Sequence, residues 1–265
     1  MKLGSSTFCW KDEPLTPDLL EQLAKAGVEE VEIADYHPNF DYFGASWLKA
    51  TGEAARNAGL SVATVHTHLA HRDPQLVLMH PDPTRRRRAV EAYFRAVDAL
   101  SLIGACCLLT HDVQLQDAEA DDPAERERTI AAVREVADYA QAAGMTLVIE
   151  NLPKGWSSNV TRIAGLVEAI AHPAVKLCFD TAHAARRDDP VRAMKLAAKH
   201  TRVIHVNDAD GGKNHILPGR GRIDWAGVMT AAAAADHAPH FIYELSDPAD
   251  IPHLRENFKR LANFA

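Results

Sequence analysis

The segment Ala140-Gln-Ala-Ala-Gly-Met-Thr-Leu-Val-Ile-Glu150 contains the unit whose repetition predicts the fold of this chain. It joins an amphipathic stretch, Ala124–Ala143, to a short β-rich run, Thr146–Ile149, through Gly144. Glycine often follows the last turn of a helix, because it adopts left-handed backbone angles without steric cost. The apolar run then stops at a carboxylate. The segment therefore predicts a helix, a tight turn and a buried strand that ends at Glu150.

The same unit is found in both directions along the chain. Gly27, Gly59 and Gly104 also follow helical stretches and precede β-rich runs, and Asp224 is typical of a helix N-cap. The predicted strands are Lys2–Ser5, Glu30–Ile33, Ser61–Val65, Cys106–Thr110, Thr146–Ile149, Val175–Phe179, Arg202–Val206 and Phe241–Tyr243. The other helical stretches are Pro17–Ala26, Thr84–Leu102, Ala164–Ala171, Val191–His200 and Ile251–Ala262.

This alternation indicates one α/β domain that spans residues 1–265, since no linker or change of composition divides the chain. No G-x-G-x-x-G follows the first predicted strand, as would be typical of an open, doubly wound, dinucleotide-binding sheet. The length of 265 residues is close to the ~250 of a typical eight-stranded barrel. We therefore predict a (β/α)₈ TIM barrel.

The composition indicates the cellular compartment of the protein and the classes of partner that it binds. A formal net charge of −7 makes nucleic acid an unlikely partner, because such proteins gain much of their affinity from basic side chains. The four cysteines show no Cys-x-x-Cys spacing, and no apolar run approaches the ~20 residues of a membrane span. We expect a cytoplasmic protein that does not bind membranes. Whether it forms a homo-oligomer is left open.

Polar residues stand where the predicted strands end. Glu150, Asp180, His205 and Glu244 lie at the ends of the fifth to eighth strands. In a barrel these ends meet at one face, where barrel enzymes place their chemistry. Three buried carboxylates would repel one another unless a cation neutralised them. Each residue alone could be a helix cap or a hydrogen-bonded structural residue. Together they predict a divalent metal site.

Further histidines lie near the same face. His66 and His68 end the third predicted strand and His111 follows the fourth, so they could form a second metal site with Glu150 or bind substrate. His183 could bind the metal or orient a ligand or substrate.

Two other features could contact a substrate. The glycine-rich, basic loop Gly211–Arg222 could cover the mouth, contact an anion or be a plain connection, and Lys213, Arg220 and Arg222 leave a phosphorylated substrate open. Trp156 could stack on a sugar ring or simply pack in the interior.

Several motifs resemble those of the xylose-isomerase-like barrel superfamily, which includes sugar isomerases and epimerases, inosose dehydratase and endonuclease IV. The resemblance covers essentially the whole chain. It implies that Glu150, Asp180, His205 and Glu244 bind one divalent ion and that Glu150 and Glu244 move protons. The motifs are Ile149-Glu-Asn-Leu152, Phe179-Asp-Thr-Ala-His183, His205-Val-Asn-Asp208, His215-Ile-Leu-Pro-Gly-Arg-Gly-Arg-Ile-Asp-Trp225 and Tyr243-Glu-Leu245.

The chain departs from two members of this superfamily. Ketose 3-epimerases carry an arginine at the position that matches His215, so that substrate contact is missing here. Endonuclease IV proteins keep a histidine matching His215 but have an aspartate where this chain has Lys213. A complete three-zinc cluster is therefore not expected, and a small-molecule substrate is favoured.

The expected function is a metal-dependent isomerase or epimerase that acts on a small sugar, sugar phosphate or polyol-derived ketone. Glu150 and Glu244 would transfer the proton through a metal-stabilised enediolate. The alternatives are a dehydratase of the inosose dehydratase type and an endonuclease IV-like multi-zinc phosphodiester hydrolase, which would also use His66, His111 and His215. A non-catalytic binding barrel is a third alternative. The donor set suits Mn²⁺, Mg²⁺ or Co²⁺, and the extra histidines favour Zn²⁺; we expect Mn²⁺.

Overall fold

The computed structural model describes residues 1–111, 122–235 and 238–265. Eight parallel strands form a closed barrel in which each strand pairs with the next along the chain and the eighth pairs with the first. The predicted barrel is confirmed, and the strand bounds differ from those predicted by at most two residues. The strands are β1 (Gly4–Ser6), β2 (Glu30–Ala34), β3 (Ser61–Thr67), β4 (Cys107–Thr110), β5 (Thr146–Glu150), β6 (Val175–Asp180), β7 (Thr201–Val206) and β8 (His240–Tyr243).

Helices surround the barrel and connect consecutive strands. They are α1 (Pro17–Lys25), α2 (Ala45–Asn57), α3 (Leu69–Arg72), α4 (Pro83–Ile103), α5 (Pro123–Ala142), α6 (Val160–Ile170), α7 (Thr181–Ala185), α8 (Pro190–Ala197), α9 (Trp225–Ala232) and α10 (Leu254–Ala262). Short 3₁₀ turns cover Thr7–Trp10, Trp156–Ser158, Ala198–His200 and Pro248–His253. The turn Ala198–His200 replaces the end of the predicted helix Val191–His200. The turn Pro248–His253, which contains Pro252, replaces the start of the predicted helix Ile251–Ala262.

Sequence periodicity did not reveal α2. Its buried face includes Thr51, Gly52 and Ala55, so small side chains replace the large apolar ones that a helical pattern usually shows. By contrast, the predicted helix start at Asp224 is confirmed, because its side chain accepts a hydrogen bond from Gly227 N. The four glycines predicted to end helices all have left-handed backbone angles, with φ between 73° and 87°.

Two hydrophobic clusters fill the structure. The larger lies between the barrel and the helices, and it includes Val31 and Ile33 of β2. The smaller fills the barrel interior. Four of its residues stand two positions before the predicted metal ligands, and side chains two apart on a strand point to the same side. The predicted ligands therefore form the layer directly above this apolar plug. The four pairs are Val148 with Glu150, Cys178 with Asp180, Val203 with His205, and Ile242 with Glu244.

The pairing of β2 with β3 contains a shift that decides which side chains of β3 point inward. Val31 pairs with Val62, whereas the next residue of β2, Glu32, pairs with Thr64. Val62 belongs to the outer cluster and Ala63 to the inner one. Because a shift of one residue exchanges the two faces of a strand, Thr64 also points inward.

Among the residues described, no helix combines the length and apolar character needed to cross a membrane.

Two helical glycines should respond in opposite directions to replacement by alanine. A Cβ at Gly52 would lie 2.3 Å from Ile103 O, whereas a Cβ at Gly165 in α6 would meet nothing within 4 Å. We expect Gly52→Ala to destabilise the fold by about 1–3 kcal/mol, because α2 and α4 must separate. Gly165→Ala should stabilise it by about 0.5–1 kcal/mol. Urea denaturation measures both changes, and a shift of the same sign in both variants would contradict this packing.

Candidate metal centre

The four predicted ligands meet at the C-terminal mouth of the barrel. Glu150, Asp180, His205 and Glu244 are all buried, and one ligand atom from each lies within 4.8 Å of the others. His205 Nδ1 lies 3.2 Å from Glu150 Oε1, 3.2 Å from Glu244 Oε2 and 3.7 Å from Asp180 Oδ2. Three carboxylates therefore face one imidazole nitrogen, an arrangement that suits a divalent cation with oxygen and nitrogen ligands.

Two asparagines hold Asp180 in place. Asn151 accepts a hydrogen bond from Asp180 N at 2.8 Å and donates one to Asp180 O at 3.0 Å. Asn207 Nδ2 donates to Asp180 Oδ2 at 2.8 Å. The other carboxylate oxygen, Oδ1, caps α7 by accepting from His183 N at 2.7 Å. Asp180 is thus fixed by two hydrogen bonds to its backbone and two to its carboxylate, and such support keeps the ligands of a metal site in a precise geometry.

Besides His205, three histidines contact the two glutamates. His183 Nδ1 lies 3.4 Å from Glu150 Oε1, and His215 Nδ1 lies 3.2 Å from Glu244 Oε2. His66 lies between the glutamates, with Nε2 at 3.1 Å from Glu150 Oε2 and Nδ1 at 3.3 Å from Glu244 Oε1. Each glutamate therefore has one histidine of its own and shares both His66 and His205 with the other.

A second group of histidines lies beside the first site. His66, His68 and His111 each place a ring nitrogen within 4.8 Å of the others. His68 is oriented by a buried carboxylate, since its Nδ1 lies 2.7 Å from Asp35 Oδ1. The structure thus gathers the three histidines that the sequence suggested for a second metal. His66 Nε2 also contacts Glu150, the residue that the sequence suggested as the shared ligand.

Buried polar atoms in the first site fit a cation. Within the described part of the chain, Glu150 Oε2 and both ring nitrogens of His66 are buried without a well-directed hydrogen bond. Burial would raise the pKa of Glu150, but His205 and His66 outweigh it and hold that pKa well below its usual range. Burial would lower the pKa of His66, but Glu150 and Glu244 outweigh it and raise that pKa to about 10. Protons on imidazoles therefore balance the carboxylates, and a divalent cation can take their place.

Sequence reasoning missed several buried acids, among them Glu32 and Asp208. Glu32 of β2 is completely buried, and its Oε2 lies 3.0 Å from His205 Nε2. The sequence pattern that could have revealed Glu32 is the alternation Glu30-Val-Glu-Ile33, in which the apolar residues face the helices and the acids face the barrel interior. Asp208 supports the loop after β7 by accepting hydrogen bonds from Gly219 N at 2.8 Å and Trp225 Nε1 at 3.0 Å.

Other candidates lie elsewhere. Trp156 is only 2% exposed and packs in the main hydrophobic cluster. Arg220 pairs with Asp250 at 2.6 Å and faces a cavity lined by α10 residues such as Glu256. Lys213 and Arg222 are exposed in the loop, and Arg222 lines a cavity of about 640 Å³ with Arg186.

Comparisons with known proteins agree with this architecture. The family model described as "xylose isomerase-like TIM barrel" matches residues 20–264, and the chain belongs to that family. D-psicose 3-epimerase from Ruminiclostridium cellulolyticum is 27% identical over 224 residues, which cover 81% of this chain and 72% of the relative.

Solved structures show the same fold. A D-tagatose 3-epimerase-like protein superposes with a TM-score of 0.82 at 18% identity, covering 99% of this chain and 97% of that one. The probable 3-DHS dehydratase of Bacillus anthracis involved in petrobactin synthesis gives a TM-score of 0.78 at 14% identity, covering 99% of both chains.

The stability of the metal-free protein should fall at alkaline pH. The pKa values of His66 and His183 are raised from 6.5 to about 10 and about 9. A raised folded-state pKa adds stability that is complete below about pH 6.5 and is lost as the pH passes the folded value. We therefore expect the Tm in chelator to fall between pH 7 and pH 10, and His66→Gln to reduce that fall. An equal fall in the variant, measured by thermal unfolding, would contradict the charge balance.

Proposed function

We propose that this protein is a divalent-metal-dependent sugar isomerase or epimerase that moves a proton on a carbon next to a carbonyl. The observation that carries the proposal is the placement of Glu150 and Glu244. Both contact His205 Nδ1 at 3.2 Å, with Asp180 completing the set. Glu150, Asp180, His205 and Glu244 would hold the ion, which would polarise the carbonyl and the neighbouring hydroxyl of a bound ketose.

The two glutamates are placed for complementary proton transfers. Glu150 ends β5 and Glu244 follows β8, so they approach the centre of the mouth from different strands. One carboxylate would remove the proton as the enediolate forms, and the other would return a proton to the opposite face. Neighbouring histidines hold the pKa of both carboxylates well below the usual range, so both are ionised, as metal ligands must be.

His183 and His215 would act on the substrate oxygens. Each contacts one of the two glutamates, and their rings lie 5.2 Å apart in an edge-to-face arrangement. His215 has an unusual left-handed backbone with φ of 55°, and its carbonyl accepts a hydrogen bond from Ser246 N at 2.9 Å. Ketose 3-epimerases carry arginine at this position. The side chain of histidine is shorter than that of arginine, so a substrate contact made by arginine does not carry over to His215, and the proposal names no particular ketose.

The similarity to D-psicose 3-epimerase favours a small carbohydrate substrate. The same four ligands would also support dehydration, in which a β-hydroxyl leaves instead of a proton returning, and the dehydratase fold neighbour keeps that alternative open. Three oxygen donors and one imidazole suit Mn²⁺, with Zn²⁺, Mg²⁺ or Co²⁺ as alternatives.

Hydrogen exchange with solvent tests the proton-transfer roles. The protein, supplied with Mn²⁺, is incubated with ketoses and sugar phosphates in heavy water, and deuterium at carbon is followed by NMR. We expect Glu150→Gln and Glu244→Gln each to lower turnover by about 10²–10⁴-fold, because each removes one general acid–base group. Glu30→Gln is the matched control. Glu30 is a buried carboxylate at the first residue of β2, and it contacts Lys2 and His240, the first residue of β8. Near-normal turnover in both active-site variants would refute the roles, and release of water would indicate the dehydratase.

Metal stoichiometry separates this function from a second candidate, a multi-zinc phosphodiester hydrolase. The grouping of His66, His68 and His111 beside Glu150 is the observation that favours the hydrolase. We expect about one ion per chain by plasma mass spectrometry on protein purified without chelators. The Glu150→Ala, Glu244→Ala double variant should lose it. Two or three zinc ions per chain would favour the hydrolase instead.

A further inference from the structure

Glu32 is a buried carboxylate outside the four proposed ligands. It is 0% exposed, and it is the central residue of β2, whose five residues are all buried. An ionised carboxylate is costly to bury unless hydrogen bonds and opposite charges compensate for the lost water. Such a residue beside the proposed metal site therefore calls for a specific partner.

Two donors converge on the same oxygen of Glu32. Thr64 Oγ1 donates to Glu32 Oε2 at 2.5 Å, and His205 Nε2 lies 3.0 Å from that oxygen. The contact with Thr64 depends on the register shift between β2 and β3, which pairs Glu32 with Thr64. Without the shift, Glu32 would lie opposite Ala63, whose side chain has no hydrogen-bond donor. The irregularity thus gives Glu32 one fixed orientation.

The ring of His205 has two different surroundings. Its Nδ1 faces Glu150, Asp180 and Glu244, while its Nε2 faces Glu32. If Nδ1 binds a cation, it must carry a lone pair, so the ring proton resides on Nε2 and is donated to Glu32. The carboxylate then fixes both the tautomer and the plane of the ring.

We infer that Glu32 is a positioning residue that orients His205 for the cation and makes its Nδ1 a stronger ligand. This inference rests on the proposed metal site. It differs from a role for Glu32 as a direct ligand, which the grouping of Glu32, His66, His205 and Glu244 within 4.8 Å also allows. In the positioning role Glu32 bonds only to the far side of the ring, so its loss weakens the ion without changing the number of ions bound.

Cobalt binding provides a readout independent of activity. Co²⁺ is titrated into the metal-free chain, its visible absorption is recorded, and the Kd is obtained by competition with a chelator. Glu32→Gln keeps the shape and an oxygen acceptor for Thr64 and His205, but it removes the charge. We expect its Kd to rise by about tenfold or more, with a changed cobalt spectrum and unchanged stoichiometry. Glu30→Gln, on the same strand with His240 as its partner, should bind like the unmodified chain.

Thermal unfolding separates positioning from simple structural support. A bound ion raises the Tm by an amount that grows with the logarithm of its affinity for the folded state. Glu32→Gln should therefore reduce the gain in Tm on adding Co²⁺, whereas a purely structural role would lower the Tm equally with and without the ion. Thr64→Val keeps the carboxylate but removes its fixing hydroxyl. It should weaken binding less than Glu32→Gln, and it serves as the test if Glu32→Gln does not fold.

Three results would overturn the inference. An unchanged Kd and spectrum in Glu32→Gln, or in Thr64→Val where Glu32→Gln is unfolded, would show that Glu32 does not act on His205. A fall from two bound ions to one would make Glu32 a ligand. If the unmodified chain binds no Co²⁺, the proposed function fails, and this inference fails with it.

Discussion

The crowding of carboxylates around one imidazole is the constraint on which the rest of this structure depends. Glu32, Glu150, Asp180 and Glu244 are all at most 2% exposed, and each has an oxygen near the ring of His205. Four negative charges at this spacing are compatible with a folded barrel only when positive charge lies among them. Protonated histidines supply that charge without metal, and a divalent cation supplies it in the proposed enzyme.

The barrel makes this crowding possible because its frame is rigid below and around the site. An apolar plug fills the interior directly beneath the ligand layer, and each proposed ligand stands two residues beyond a plug residue on the same strand. Asn151 and Asn207 then hold Asp180, and Asp208 anchors the loop that carries His215. Strand pairing and these hydrogen bonds therefore hold the carboxylates close together despite the repulsion between them.

The part of the candidate site that could be predicted from sequence consists of the residues at strand ends. Glu150, Asp180, His205 and Glu244 were found because an apolar run that stops at a polar residue is visible in sequence, and parallel barrels bring such ends together. Glu32 was missed because it lies inside a predicted strand, where its partner is chosen by a register shift between neighbouring strands. Helix α2 was missed because glycine and other small residues, rather than large apolar ones, form much of its buried face.

The sequence by itself determined the alternation of strands and helices, the glycines that end helices and the polar residues at the mouth. These depend on local periodicity and backbone preference, which act over a few neighbouring residues. Only the tertiary structure decided that His205 lies between Glu32 and the three other acids, that His66 is shared by Glu150 and Glu244, and that Trp156 is packed inside. Such contacts join residues far apart in the chain, and they are fixed by strand register and barrel closure rather than by local pattern.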